Sequence, residues 1–394
     1  MSRVARGAPG AAALLLALSV FCGVVAAVGG RWYVERDFQC FWAAGALVAT
    51  GGDPYDAMQY QRKLVESRRE RLDAEFCGER FAYPPWTAAA LVGLGALPQP
   101  VAAAAWLSLM VAATVLAIGW LWQLGGARVP LPFIAALVVL TEPFMLALAE
   151  GQFGVFTVAL TAGAVVALRS ADGRASGLAT AALVVKPHIV LVVFPALLLL
   201  QLRARRWASL ATVFAVAVGT AVAIAALRPS WFSEWIASAT KTRAATVPLA
   251  TSWDLAASLG GAPLAIGMIA ALLIAIAALT RGRTLADTDV IGLGSALSLV
   301  AAPYAWTHDF ILLALPWSMT LAHSTRMPAT QRRFLTFGAF IVAAPLLWVF
   351  AALAPLRGGE SISALAPMIS ALLLALGIRW CTASATIRKT PEVT

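Results

Sequence analysis

Long apolar runs alternate with short polar gaps along most of the chain. Runs of about 15–25 apolar residues are typical of membrane-spanning helices. They lie near residues 10–29, 101–123, 131–148, 153–168, 175–186, 188–202, 207–227, 262–280, 288–302, 310–323, 333–352 and 362–379. The pattern predicts an all-α polytopic membrane protein with about 12 transmembrane helices, forming a single domain over residues 1–394.

Composition agrees with a membrane protein. Apolar residues make up 61% of the chain and charged residues only 12%, whereas about 25% of the residues of a soluble domain are charged. The net charge of +10 would suit nucleic acid, but the basic residues fall in gaps between apolar runs, where they act as orientation signals. We therefore expect membrane lipids, and no nucleic acid, as partners.

The basic residues also predict the topology. They concentrate in every second gap, at Arg128, Arg169, Arg203, Arg281 and Arg326 among others. If these gaps and the N-terminus are cytoplasmic, the chain crosses the membrane twelve times. The outer face then contains a long first loop, 30–83, with juxtamembrane helices, and a second large loop, 228–261.

This topology depends on two segments. As a helix, 84–98 would be about 21 Å long at 1.5 Å per residue, too short for a core of about 30 Å. It must therefore lie along the membrane or dip into it. Segment 175–202 must form a hairpin broken at Lys186-Pro187-His188, where the proline interrupts a helix.

Some features of the N-terminus and of the first loop allow more than one interpretation. Residues 1–28 resemble a signal peptide, but the many later spans favour an uncleaved first helix. Cys40 and Cys77 share the first loop and could form a disulfide or remain two thiols. Asp53-Pro54 resembles a helix start.

Polar residues that interrupt the apolar pattern collect on the predicted outer face, which suggests one site there. Asp37 follows the first apolar run and could act as a general base or simply pair with Arg36. Lys186 interrupts an apolar run, at a cost of about 2.5–3.5 kcal/mol on insertion scales. Its expected anionic partner is a phosphate, Glu142 or Glu150; alternatively its side chain snorkels to the membrane interface.

Other candidate ligand contacts have structural explanations as well. His308 could donate a hydrogen bond to a phosphate or a sugar. Gln152 could contact a polar ligand, although the sequence favours a purely structural turn there. Tyr83, before Pro84-Pro85, could serve only to turn the chain. The chain contains no Gly-rich phosphate loop and no metal-ligand spacing, so we expect no metal and no cofactor.

Several short motifs together resemble glycosyltransferase family 87. They are an Asp after the first span (Asp37), the segment Gly51 to Tyr55, Tyr83-Pro84-Pro85, Gly151-Gln152, Lys186-Pro187 and Trp306-Thr307-His308. Each motif is weak alone, but their order and spacing over nearly the whole chain make the set specific.

The resemblance implies a bacterial inner-membrane mannosyltransferase of the GT-C class, with its active site on the periplasmic face. Such an enzyme transfers a hexose, with mannose expected, from a polyprenyl-phosphate-linked donor to a glycolipid or glycan acceptor, with inversion. Asp37 matches the catalytic carboxylate, and Lys186 and His308 match positions that face the donor phosphate. Tyr83, Gln152 and His188 are carried over as substrate contacts.

Two positions depart from the family pattern. Gly154 stands where the family often has Asn, and Asp309 where it often has a second His. Both departures concern the sugar and the acceptor more than the reaction class.

Two other functions are compatible with the sequence. A transporter or flippase of lipid-linked sugars would have paired half-helices and pseudo-symmetric halves, which the long first loop and the one-sided polar residues oppose. A non-catalytic membrane subunit of the same fold would retain the motifs without turnover.

Overall fold

The computed structural model describes residues 37–67, 77–245 and 248–387. Most of these residues are helical, and none of them forms a strand. The predicted span 10–29 and Arg36 lie outside these residues. The described α-helices, numbered α1 to α19 from the first of them, are Phe38–Ala49, Ala57–Ser67, Pro85–Ala90, Val92–Gly95, Gln99–Leu124, Leu131–Val139, Glu142–Glu150, Gly154–Arg169, Gly173–Ala182, Val193–Arg203, Trp207–Leu227, Trp231–Ala245, Ser252–Ala257, Ala262–Thr280, Asp287–Ala301, Ala314–Ser324, Ala329–Ile341, Leu347–Arg357 and Leu365–Ile387.

Shorter helical turns connect some of these helices. They are the 3₁₀ turns Leu183–Val185, Pro187–Ile189, Thr307–Leu313 and Ser361–Ala364, and the π-helical segment Val342–Leu346.

Five helices of the described residues are long and apolar enough to cross a membrane. They are Gln99–Leu124, Trp207–Leu227, Ala262–Thr280, Ala329–Arg357 and Ser361–Cys381. A sixth candidate is the pair α6 and α7, which is bent by 60°. The protein is therefore membrane-embedded, while the count of twelve crossings stays a prediction.

Three local features of the sequence can be compared with the structure. Residues 84–98 contain only the short helices α3 and α4, so no membrane-length helix forms there. The helical path through 175–202 is interrupted at Lys186, between two 3₁₀ turns. The helix start predicted at Asp53-Pro54 is wrong, because α2 begins at Ala57, where Asp56 Oδ1 accepts from the Gln59 N–H at 3.0 Å.

The described chain divides into two compact units. The first contains the described residues of Met1–Leu116, with Ala147–Phe156 and Val216–Thr246, and the second contains Ala117–Leu146, Thr157–Ala215 and the described part of Val247–Thr394.

In the first unit, α1 is buried by protein along ten of its twelve residues. Its apolar side chains therefore pack within the protein, and its location beside the membrane stays a prediction. A disulfide joins Cys40 of α1 to Cys77, which answers the open question about these cysteines. Aromatic rings also pack against α1: the ring centroid of Phe41, in α1, is 4.7 Å from that of Phe153 and 5.1 Å from that of Tyr83.

In the second unit, α15, α16 and α19 pack together through largely buried faces. The Trp317 indole N–H donates to Ser370 Oγ at 2.9 Å and so joins α16 to α19. The Ser298 hydroxyl of α15 accepts from the Val192 and Val193 N–H groups at 3.0 and 2.9 Å, which holds the start of α10 after the break at Lys186.

Candidate active site

The first cluster of candidate residues lies in the first unit and centres on Asp37. Asp37 immediately precedes α1, but its side chain makes no capping hydrogen bond to that helix. Its Oδ2 accepts a hydrogen bond from Gln152 Nε2. The Gln152 Oε1 atom accepts in turn from the Tyr83 hydroxyl at 3.2 Å. Both ends of the buried Gln152 amide are therefore engaged, and the amide holds the carboxylate in one orientation.

A glycine-dependent turn places Gln152. Gly151 has φ +74°, and a Cβ there would lie 2.8 Å from Phe38 Cβ. The Gln152 N–H bonds to the Ala147 carbonyl at 2.8 Å, the bond that ends a helix in a Schellman motif. The Trp106 indole N–H donates to the Gly151 carbonyl at 2.7 Å. The Glu150-Gly151-Gln152 turn therefore has a structural role and also presents Gln152 to Asp37.

The second cluster lies in the second unit and centres on Lys186, of which only 1% is exposed. The Lys186 ammonium contacts Asp309 Oδ1 at 2.5 Å and His308 Nε2 at 3.3 Å. Asp309 Oδ2 also accepts from the Trp306 N–H at 3.2 Å. An anionic partner of Lys186 is therefore Asp309, a residue that the sequence analysis noted only as a departure from the family pattern and not as a partner.

The charge state of Asp309 follows from its neighbours. Burial by itself raises the pKa of this carboxyl, but the positive charge around it, chiefly the Lys186 ammonium, outweighs burial. The resulting pKa lies below the usual range, so Asp309 is ionised at neutral pH. Because the carboxylate and the ammonium offset each other, both charges can be buried.

Further contacts hold the segment around His308. The Thr307 N–H donates to Glu360 Oε2 at 2.9 Å, and its hydroxyl donates to Glu142 Oε1 at 3.0 Å. Sequence analysis missed both of these partners, since neither glutamate belongs to a recognisable motif near residue 307.

His188 lies in the 3₁₀ turn Pro187–Ile189, directly after the break at Lys186. Its ring meets the Tyr304 ring edge to face, with centroids 5.5 Å apart. Its buried Nε2 has no hydrogen-bond partner among the described residues. A buried polar atom without a partner needs an explanation, such as a water or a ligand.

All six residues predicted for the site are therefore described, three in each cluster. Among the described residues, no group of three or more His, Cys, Asp or Glu side chains is arranged to hold a metal ion. The expectation that the protein uses no metal stays a prediction.

Comparison with known proteins identifies the chemistry. The model of glycosyltransferase family 87 matches residues 81–316. The chain belongs to glycosyltransferase family 87. Nothing matches it among curated proteins or among solved structures.

Membership of glycosyltransferase family 87 makes the protein a membrane glycosyltransferase. The match begins at residue 81, so it does not include Asp37. It includes the other five predicted site residues, Tyr83, Gln152, Lys186, His188 and His308. The case for Asp37 therefore depends on its hydrogen bond to Gln152, a residue inside the matched region.

Proposed function

We propose that the protein transfers a hexose, with mannose expected, from a polyprenyl-phosphate-linked donor to a glycolipid or glycan acceptor. The apolar helices suit a donor whose carrier lipid is dissolved in the membrane. The proposed setting is a bacterial inner membrane with the active site on the periplasmic face, as the positions of the basic residues favour. The observation that carries the proposal is the Asp37 carboxylate held by the Gln152 amide.

Asp37 is proposed as the general base. It accepts the proton of the acceptor hydroxyl while the acceptor oxygen forms a bond to the anomeric carbon of the donor. The bond from this carbon to the phosphate oxygen breaks, and its electron pair leaves with the polyprenyl phosphate. One displacement of this kind inverts the anomeric centre. An oriented base contributes about 10²–10⁴-fold to the rate.

Lys186 and His308 are proposed to stabilise the departing phosphate. An ammonium has three N–H donors, so Lys186 can donate to a phosphate oxygen while it keeps its contact with Asp309. Charge that develops on a leaving group is stabilised best by donors already in position. Tyr83, Gln152 and His188 are proposed as substrate contacts, and the unpartnered Nε2 of His188 supports this for the third of them.

The test uses membranes that contain the full chain and labelled polyprenyl-phosphate-mannose. We expect Asp37→Asn to lower transfer about 10²–10⁴-fold, because an amide cannot accept the proton. Glu66→Gln, which removes an exposed carboxylate from α2, serves as the control and should keep normal transfer.

Protein level and thermal stability are measured for each variant. Unchanged transfer by a well-folded Asp37→Asn protein contradicts the proposal. Product analysis also separates transfer from transport, because a flippase would return the labelled lipid chemically unchanged.

A further inference from the structure

A polar cavity in the first unit lies at the Gly51 to Tyr55 motif, to which no role has been given above. Its volume is about 370 Å³, at the small end of the range for ligand pockets. The side chains that line it include Asp53, Tyr55, Asp56, Ala57, Arg80 and Glu234. The cavity is therefore formed by the first outer loop and the first turn of α12.

Two of the carboxylates already have structural partners. Asp53 Oδ1 accepts from the Tyr55 N–H at 2.9 Å, and Asp53 Oδ2 lies 3.5 Å from the Arg228 guanidinium. Asp56 accepts at the start of α2. These contacts account for the shape of the loop without any ligand.

Two other lining residues have buried polar atoms that nothing satisfies. Arg80 Nε and Glu234 Oε2 have no hydrogen-bond partner among the described residues. Nearby, the Trp231 indole ring meets Tyr55 at 6.1 Å between centroids, and its buried N–H also has no such partner. Each unsatisfied buried group costs about 1–3 kcal/mol, and both residues line the cavity, so a ligand that draws these side chains towards the cavity would satisfy both groups.

The charges of the lining select the class of ligand. A phosphate would be repelled by the three carboxylates, and a metal cation would be repelled by the Arg80 guanidinium. A neutral polyhydroxylated ligand suits both, because each hydroxyl can donate to a carboxylate and accept from a guanidinium. Hydrogen bonds to such charged groups are the stronger ones.

We propose that this cavity binds a sugar residue of the acceptor, an assignment that rests on the proposed function. A continuous set of contacts supports it. The Tyr55 hydroxyl at the cavity donates to the Tyr83 carbonyl at 2.6 Å, and the Tyr83 hydroxyl donates to Gln152, which holds Asp37. A ligand beside Tyr55 would therefore be linked through Tyr83 and Gln152 to the proposed base.

Photoaffinity labelling of the full chain tests this assignment without requiring turnover. The probe is an octyl mannoside with a diazirine on the alkyl carbons next to the sugar. The comparison compound is the same diazirine chain with a tetra(ethylene glycol) head. We expect the mannoside to label residues 53–58, 80–83 or 230–235, and the comparison compound to label them far less.

Variants locate the site further. Glu234→Gln should lower labelling about tenfold, since it removes a charged hydrogen-bond acceptor, and Ala57→Trp should abolish labelling by filling the cavity. The matched controls are Glu79→Gln and Ala237→Trp, which alter exposed positions of the same unit and should label normally. Asp37→Asn should also label normally, because the cavity does not include that residue.

Labelling outside these three segments overturns the assignment, as does equal labelling by the comparison compound or undiminished labelling of Ala57→Trp. If labelling fails while Asp37→Asn still abolishes transfer, only the cavity assignment is lost. If Asp37→Asn transfers normally while the cavity is labelled, the proposed mechanism fails and the sugar site stands.

Discussion

Lys186 and Asp309 form an ion pair between side chains that are 1% and 0% exposed. Removing one partner of a buried pair leaves an uncompensated charge and costs about 3–5 kcal/mol, whereas removing both can cost little. His308 lies 3.7 Å from Asp309 Oδ1 and would compensate part of the charge only if protonated. The pair therefore has a structural role as well as the proposed phosphate contact.

A comparison of single and double variants separates the two roles. We expect Lys186→Met to lower the thermal stability of the purified protein more than the double variant Lys186→Met with Asp309→Asn does, because the double variant has no unpaired buried charge. Both should lack normal transfer, since neither has the ammonium proposed to stabilise the phosphate.

The control is the surface pair of the half-buried Lys63 and the exposed Glu66, whose charged atoms are 3.7 Å apart. Surface pairs contribute about 0–1 kcal/mol, and single and double variants both lose the contact of Lys63 with the Trp42 ring, so the same comparison at Lys63 should give nearly equal stabilities. Recovery of transfer by the Lys186 double variant would contradict the phosphate role.

At the scale of elements, α1 and α4 approach each other through glycines. A Cβ on Gly95 would lie 2.1 Å from the Ala46 backbone nitrogen, and a Cβ on Gly45 would lie 2.3 Å from the Leu91 carbonyl oxygen. These neighbours are backbone atoms, which cannot move aside as a flexible side chain can. Since α1 begins directly after Asp37, this contact also positions the proposed base.

We expect Gly95→Ala to lower thermal stability and to reduce transfer, because α1 must shift to admit the methyl group. Overpacking of this kind typically costs about 1–3 kcal/mol. Gly93→Ala is the matched control, since it lies in the same short helix and a Cβ there meets nothing within 4 Å.

Gly93→Ala should be as stable and as active as the unaltered protein. A Gly95→Ala protein with normal stability and transfer would show that α1 is not held by this contact.

At the scale of the whole molecule, the basic gaps predict the orientation of the chain. Helix α11 begins just after Arg203, Arg205 and Arg206, and α14 ends just before Arg281. The segment between α11 and α14 contains α12 and α13. If basic gaps are cytoplasmic, this intervening segment lies outside, together with the part of α12 that lines the polar cavity.

Cysteine labelling in intact cells measures this orientation. We expect an impermeant maleimide to label Ser258→Cys but not Ala204→Cys, both of which are exposed positions, in a background with Cys22 and Cys381 replaced by alanine. Ala204→Cys should become reactive once the membranes are opened. The opposite pattern would place Asp37 and its cluster in the cytoplasm and contradict the proposed function.

The sequence by itself determined the elements, because their signals are local. The apolar runs 207–227 and 262–280 have the same bounds as α11 and α14, and the proline after Lys186 predicted the interruption found there. The family could also be predicted, since its motifs are short and ordered. The prediction of a helix start at Asp53-Pro54 was wrong because Asp56, three residues later, accepts the Gln59 N–H at the start of α2.

The tertiary structure alone decided which side chains meet. Asp37 and Gln152 are 115 residues apart, and Lys186 and Asp309 are 123 residues apart. No periodicity or spacing relates such positions, because their contact depends on how whole helices pack. For the same reason the polar cavity, which combines residues 53–58 with Arg80 and Glu234, could not be predicted, although the Gly51 to Tyr55 motif provides part of its lining.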